Sequence, residues 1–251
     1  MPITDGLPEH SEELLSVLKE LSHQGPLPAI GRGDTAVGKT LLAHLGIPMT
    51  SSKKAQFKGI VLTARRGSKA KDINRVNLFA KVPDWKVSAL KSSRELLDAF
   101  GYGSGDERRL NCTVSAKQPN GQGLYLAVDW ERGLLVERHR SVEGRTSDVV
   151  AWQLAELEER LDKTQPASAW IVAIPSKRDG EEYFHFRYVT FTGRPRAKEL
   201  PRLLEMGTIT VDHLISAVGG RTVEKGPLFK IQPRNVETLF PTTPSFDLLR
   251  L

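Results

Sequence analysis

The chain is nearly without cysteine: Cys112 is its one thiol in 251 residues. That excludes a disulfide framework within the chain and suits a reducing compartment. A lone cysteine more often packs as a small apolar group than acts as a nucleophile. Long apolar runs are also missing. None reaches 18 residues, so no membrane-spanning helix is expected. The start, Met1-Pro2-Ile3-Thr4-Asp5, has neither the basic nor the apolar stretch of an export signal, and a cytoplasmic location is expected. No internal repeat or low-complexity tract stands out. What remains is ordinary globular composition, 39% hydrophobic and 26% charged, in a chain long enough to bury a sizeable core.

Acid is scarce in one region. Across residues 53–91 only Asp72 and Asp84 oppose Lys53, Lys54, Lys58, Arg65, Arg66, Lys69, Lys71, Arg75, Lys81, Lys86 and Lys91. The whole chain carries a formal charge of +6. A block this lopsided is expected to form a phosphate-contacting surface, against the plainer reading of a solvated basic face.

Residues 33–40, Gly-Asp-Thr-Ala-Val-Gly-Lys-Thr, match the phosphate-binding pattern G-x-x-x-x-G-K-[ST]. In that reading backbone N–H groups near Gly33 and Gly38 cradle phosphates, Lys39 reaches their oxygens, and the Thr40 hydroxyl holds Mg²⁺. The pattern requires a buried strand leading into the loop. Here Gly25-Pro26-Leu27-Pro28-Ala29-Ile30-Gly31-Arg32 precedes it, which cannot form a central parallel strand. No nucleotide is therefore expected, and the string needs another explanation.

Periodicity and breakers predict helices over Pro8–His23, Thr40–Leu45, Ser92–Phe100, Val149–Lys163 and Lys198–Met206, with a final helical turn at Pro233–Leu239. Strands are predicted at Phe57–Ala64, Asn77–Lys81, Arg109–Ala116, Gly123–Val128, Gly133–Arg138, Ala169–Ile174 and Tyr183–Phe191. Thr208–Leu214 and Leu228–Gln232 are short extended pieces. The turn Pro119-Asn120-Gly121-Gln122 is expected to join two of the strands, and Trp130–Arg132 another two. The irregular alternation indicates an α/β (α+β) fold, a mixed sheet flanked by helices.

Several strings, taken in order, resemble the MvaI/BcnI restriction endonuclease family, a MutH-like group. Gly33–Thr40 matches the family's loop G-[DN]-T-G-[IV]-G-x-T, which precedes an active-site helix. Leu45-Gly46-Ile47 is similar to that helix's end. Phe57-Lys58-Gly59-Ile60 resembles the start of the catalytic strand, and Asn77-Leu78-Phe79-Ala80-Lys81 the L-F-x-K segment. Cys112-Thr113-Val114-Ser115 with Asp129-Trp130-Glu131 resembles the central hairpin. Val211-Asp212-His213, with Gly226, Phe229, Lys230 and Ile231, resembles the base-reading region. The resemblance implies one restriction-endonuclease-like domain over residues 1–251, with two lobes around a DNA cleft. A nuclease-like core lobe would occupy about 27–200 and a recognition-like segment about 201–251.

The same resemblance marks departures. The family's loop is followed by a Glu; the matching position is Leu42. Its catalytic strand, P-D-[FY]-x-x-[IV]-E-[IL]-K, falls on Ala55–Thr63, so the Asp is Gln56, the Glu is Val61 and the Lys is Thr63. Mg²⁺ takes hard oxygen ligands, usually with carboxylates among them. No intact catalytic or metal-binding set is expected, and no cofactor. The base-reading region also differs: an Arg is replaced by Leu214, and His-x-His-Gly by Val223-Glu224-Lys225-Gly226. Lys230 stands for an Arg and lacks its bidentate fork.

The generic cations remain. Lys39, Lys58, Arg65, Arg66, Lys69, Lys86, Lys91, Lys117, Lys225 and Lys230 are the expected DNA contacts. The expected function is thus a DNA-binding, non-cleaving relative of these endonucleases in a restriction, defence or repair assembly, alongside another subunit in one version. One alternative is an active Mg²⁺-dependent endonuclease with ligands relocated to Asp34, Asp72 or Glu95. Another is a protein-binding pseudoenzyme using Tyr183, Phe184, Phe186, Tyr188 and Phe191, which read equally as a core strand with one wet side.

Overall fold

A computed structural model of the chain describes residues 8–33, 35–49, 55–67 and 75–251. In chain order the elements are α1 (Ser11–His23), β1 (Leu27–Pro28), α2 (Ala36–His44), β2 (Val61–Arg66), β3 (Val76–Ala80), α3 (Ser93–Phe100), β4 (Arg109–Val114), β5 (Leu124–Asp129), β6 (Leu134–Arg140) and β7 (Thr146–Gln153). There follow α4 (Leu154–Thr164), β8 (Ser168–Arg178), β9 (Glu181–Thr192), α5 (Leu200–Glu205), β10 (Ile209–Val218), β11 (Arg221–Glu224), β12 (Leu228–Ile231), α6 (Val236–Leu239) and β13 (Phe246–Asp247).

The chain divides into two compact units that interleave in sequence. Unit 1 is Met1–Lys71, Gln165–Pro195 and Phe240–Leu251; unit 2 is Asp72–Thr164 and Arg196–Leu239. The lobes expected from the sequence were consecutive stretches; packing groups non-consecutive ones.

Unit 1 is built on a mixed sheet in the order β1-β9-β8-β2, with β13 also on β9. β2 and β8 are parallel, while β8 and β9 are antiparallel over their whole length. One sheet face presents Leu62, Ala169, Ile171, Phe184 and Phe186 to a core completed by Leu14, Leu18 and Leu21 of α1 and by Val37 and Leu41 of α2. The spacing of those α1 leucines is the helical stripe visible in the sequence. Phe184, Phe186 and Phe191 of β9 are almost completely buried. The aromatic run is therefore largely core, as the alternative to a partner face anticipates.

Unit 2 contains two sheets. One has the order β11-β10-β12-β3, with β4 on β10; the other is the antiparallel meander β5-β6-β7. Phe79 of β3 stacks on Phe229 of β12 with ring centroids 4.6 Å apart. Trp152 meets Phe229 edge-on and donates its indole N–H to Lys81 O at 2.9 Å.

Several boundaries differ from the sequence expectation. The helix expected over Val149–Lys163 is strand β7 up to Gln153 and helix α4 only from Leu154. Val149-Val150-Ala151-Trp152 is buried without a break, and such a run fits a buried strand as well as a helix until its pairing with β6 decides. The strands on either side of Pro119–Gln122 do not form a hairpin sheet. The turn exists, with Asn120 Oδ1 accepting the Gln122 and Leu124 N–H groups. Yet β4 pairs with β10 and β5 with β6, leaving the bond from Leu126 N–H to Ser115 O between them. β11 was not anticipated. The Ser92–Phe100 helix holds, with Ser92 as its N-cap: Ser92 Oγ accepts the Glu95 N–H, and Glu95 Oε2 accepts the N–H of Lys91 just before the cap.

Candidate functional site

The positions that the resemblance matches to catalytic residues, Leu42, Gln56, Val61 and Thr63, all lie in unit 1, on α2, on β2 and on the turn that enters β2. α2 begins at Ala36 rather than at Thr40. Gly38, Lys39 and Thr40 are thus helical and form no phosphate cradle. Thr40 is fully buried; its hydroxyl donates to Ala36 O and accepts the Ile30 N–H, both at 2.8 Å. Ile30 follows the two-residue strand β1, which runs antiparallel to β9. This hydroxyl pins the loop before α2 to the helix, and the feeding parallel strand of a nucleotide site is absent among the described residues.

The strand expected over Phe57–Ala64 starts at Val61. Before it, Phe57 and Ile60 exchange backbone hydrogen bonds around Lys58 (φ 42°) and Gly59 (φ 90°), a tight turn with two left-handed central residues. Gly59 meets this demand without strain, and Lys58 bears it. The turn places Gln56 beside the strand, where its Oε1 accepts the Leu62 N–H at 2.9 Å.

Val61 and Thr63 alternate with Leu62, so they share the β2 face opposite the Leu62 core. Their register partners are Ser168 and Trp170 of β8. Leu42 of α2 packs, partly buried, against the hydrophobic cluster. The strand that the resemblance matches to a catalytic one is present, and its donors are few. Leu42 and Val61 supply no polar atom, the Gln56 carbonyl is committed to a backbone N–H, and Thr63 is neutral. This donor set does not fit a Mg²⁺ ion. Among the described residues no group of three or more His, Cys, Asp or Glu side chains is placed to hold a metal. Of the relocated ligands considered, Glu95 is engaged in the α3 cap, while Asp34 and Asp72 fall outside the described residues.

The basic residues have unequal fates. In unit 1, Lys58 pairs with Glu13 at 2.6 Å. Arg66 grips Glu182 with two hydrogen bonds of 2.9 and 3.0 Å, donates to Gly33 O and lies over the Phe184 ring. Bonding to Arg66 holds the Glu182 carboxyl below its usual range. Lys39 lies on α2, half-buried, its stem against Gly31, and Arg65 is exposed on β2. Lys69 lies outside the described residues.

In unit 2, Lys86, Lys91, Lys117 and Lys225 are exposed. Lys91 donates to Ser88 O, and the Lys117 stem rests against Gly207. Lys230 is not free for a base or a phosphate, because its Nζ is 2.9 Å from Asp212 Oδ2. Arg75, which the sequence offered only as one cation among many, binds the same carboxylate through both nitrogens at 2.8 and 2.9 Å. Thr113 donates to it at 2.8 Å. Burial alone would raise the Asp212 carboxyl, but hydrogen bonds from Lys230, Thr113 and Arg75 hold it below its usual range. The Asp212 carboxylate is thereby saturated from within the unit.

Comparisons with known proteins identify a family and a fold. The profile of the MvaI/BcnI restriction endonuclease family matches residues 15–240. Among curated proteins none matches the chain. Solved structures share the fold, two of them restriction endonuclease MvaI. The restriction endonuclease MvaI in complex with its cognate DNA substrate superimposes with a TM-score of 0.69 at 19% identity, covering 94% of this chain and 98% of that one. MvaI in the absence of DNA gives 0.64 at 18% identity, covering 96% and 99%.

Proposed function

The chain belongs to the MvaI/BcnI restriction endonuclease family, and from that premise we propose that it binds DNA without cleaving it. The observation that carries the reading is the emptied catalytic strand. Gln56, where the family has an Asp, spends its carbonyl on the Leu62 N–H, between Val61, Thr63 and Leu42 where the family has Glu, Lys and Glu. With no carboxylate at these positions, the metal-assisted stabilisation of phosphoryl charge has no ligands to build on.

DNA as the partner is supported by kinship and by charge. MvaI, similar in fold, was solved on its cognate DNA substrate. Lys39, Lys86, Lys117 and Lys225 have no ion-pair partner among the described residues, and with Arg65 they supply backbone contacts that position DNA without reading it. Arg66, Lys58 and Lys230 are charge-paired and contribute less. Lys230 and Asp212 neutralise one another, so the family's base-reading chemistry does not transfer to them. A protein of this kind serves as a non-cleaving DNA-binding component of a restriction, defence or repair assembly in the cytoplasm.

Filter binding across a salt series, with duplex and single-stranded DNA, tests the binding. Affinity falls steeply as salt rises. Incubation with DNA, including DNA carrying modified cytosine, in Mg²⁺ or Mn²⁺ leaves the strands intact. Absence of affinity at low salt refutes the binding; cleavage by the purified chain, lost on mutating Asp34 or Asp72, refutes the silence.

A further inference from the structure

Unit 2 holds a buried ionisable cluster that the DNA reading does not use. His213 of β10 and Glu137 of β6 belong to different sheets. Nε2 and Oε2 are 2.7 Å apart, and both side chains are fully buried. Strand register gathers further groups around them. Cys112 of β4 stands directly opposite His213, so the two side chains emerge on one face. Glu224 of β11 stands opposite Ile215, two residues beyond His213, and so shares that face. One Glu224 oxygen accepts the hydroxyl of Ser93, the first residue of α3. The other, with Glu137 Oε1 and His213 Nδ1, is buried without a hydrogen-bond partner among the described residues.

We propose that this cluster is a proton-operated latch, in which protons on His213 and Glu224 hold β6, β10, β11 and α3 together and their loss at alkaline pH releases them.

The charge balance sets the direction. Buried carboxylates need a buried counter-charge, and a charge stripped of its partner is strongly destabilising. With imidazolium at His213, Glu137 is compensated; with neutral imidazole it is not. With Glu224 protonated the cluster holds one negative and one positive charge; ionised, it carries a surplus anion. The other groups facing the cluster do not relieve this. The Cys112 thiol is pushed up to about 12 by burial and by Glu137, and remains neutral. Asp212 points to the opposite face and is held by Arg75 and Lys230. Glu137's register partners are Leu126 and Val150. On α3, Arg94 pairs with Asp98, and Glu95 caps the helix.

Proton affinities follow. Burial works against the imidazolium, but the charge and hydrogen bond of Glu137 prevail, aided by Glu224 and Asp212, and His213 is raised above its usual 6.5. Burial raises the Glu224 carboxyl above 4.5, more than the Ser93 hydrogen bond and the His213 charge offset. Both groups bind protons more tightly in the folded protein. Their stabilisation is complete below the unfolded values and is lost as pH rises through the folded ones. Lowered carboxylates such as Asp212, Asp247 and Glu182 act in the opposite sense, below about pH 4.5. The range above about pH 5.5 therefore reports the latch.

Thermal unfolding of the full chain between about pH 5.5 and 9 tests this. The midpoint falls with rising pH, by about 3–5 °C for each tenfold tightening of proton binding. Glu224→Gln keeps the shape and the acceptor for Ser93 but cannot ionise; it makes the fall with pH shallower, leaving the His213 part, while the chain stays folded. In ¹³C-labelled protein, one solvent-shielded imidazole remains protonated above pH 6.5. His213→Gln abolishes that signal if it folds, and the wild-type and Glu224→Gln measurements stand without it. A midpoint that is flat or rises across this range, or a shielded imidazole already neutral at pH 6, overturns the latch.

Discussion

Replacing Thr40 with valine keeps the outline of a fully buried side chain and deletes its hydroxyl. The two 2.8 Å bonds made by that hydroxyl differ in what their loss costs. The bond to Ala36 O is a helical back-bond to an acceptor already serving the helix ladder, and its removal is nearly neutral. The bond from the Ile30 N–H is different, because Ile30 sits in a glycine- and proline-rich loop with no strand partner for that group. An orphaned donor costs roughly 1–3 kcal/mol. In a chain of this size that lowers the unfolding midpoint by roughly 2–10 °C. The measurement is a pair of urea denaturation curves, in which the midpoint drops and the slope is unchanged. Lys39→Ala, which removes a half-buried stem with no ion pair among the described residues, shifts stability by less than about 0.5 kcal/mol. A nucleotide site predicts the reverse. Thr40→Val would then be harmless without ligand, and Mg²⁺-ATP would raise the wild-type midpoint but not that of Lys39→Ala. A Thr40→Val stability within about 0.5 kcal/mol of wild type, or that nucleotide response, refutes the reasoning.

Gly123 has φ +77°, and a Cβ there would lie 2.5 Å from Arg140 O, so Gly123→Ala lowers stability by roughly 2–4 kcal/mol in the same denaturation assay. Asp212→Asn leaves Arg75 and Lys230 without their carboxylate and costs roughly 1–3 kcal/mol at neutral pH. Because the Asp212 carboxyl is held below 3.8, its stabilisation is present above that value and disappears as pH falls through the lower folded value; acid titration of Asp212→Asn lacks this loss. Lys225→Ala weakens DNA binding about equally across sequences and reduces the slope of log affinity against log salt by about 1, as read by filter binding.

Elements whose signals are local were legible. The α1 stripe, the Ser92-to-Glu95 cap and the extended runs of β8 and β9 each follow from residues within one segment. β7 was misread because Val149–Trp152 is apolar on every side, and only its pairing with β6 distinguishes strand from helix. The site followed the same division. The non-acidic, uncharged side chains of Leu42, Gln56, Val61 and Thr63 are visible as residue identity, whereas the Gln56 bond to Leu62 depends on the turn at Lys58-Gly59. The basic residues were overcounted as a surface because their partners are distant in sequence. Arg66 meets Glu182 116 residues away, and Arg75 meets Asp212 137 residues away. Counting signs along a chain cannot register such neutralisation. The Glu137–His213 pair, 76 residues apart, left no sequence signal beyond a histidine on a strand.

The interleaving of the two units has a consequence for how the protein is made. β2 is translated about 100 residues before its parallel partner β8, a delay of roughly 5–20 s at ribosomal speed. β3 waits longer still, for β12. A chain stopped near residue 200 lacks β13 from one unit and β10, β11 and β12 from the other, so neither sheet system is complete. No contiguous half of this sequence corresponds to a folding unit. The β8 edge of β2 therefore stays unpaired in the nascent chain until Ser168–Arg178 has been added, while α1 and α2, made earlier or alongside, are already available to cover Leu62.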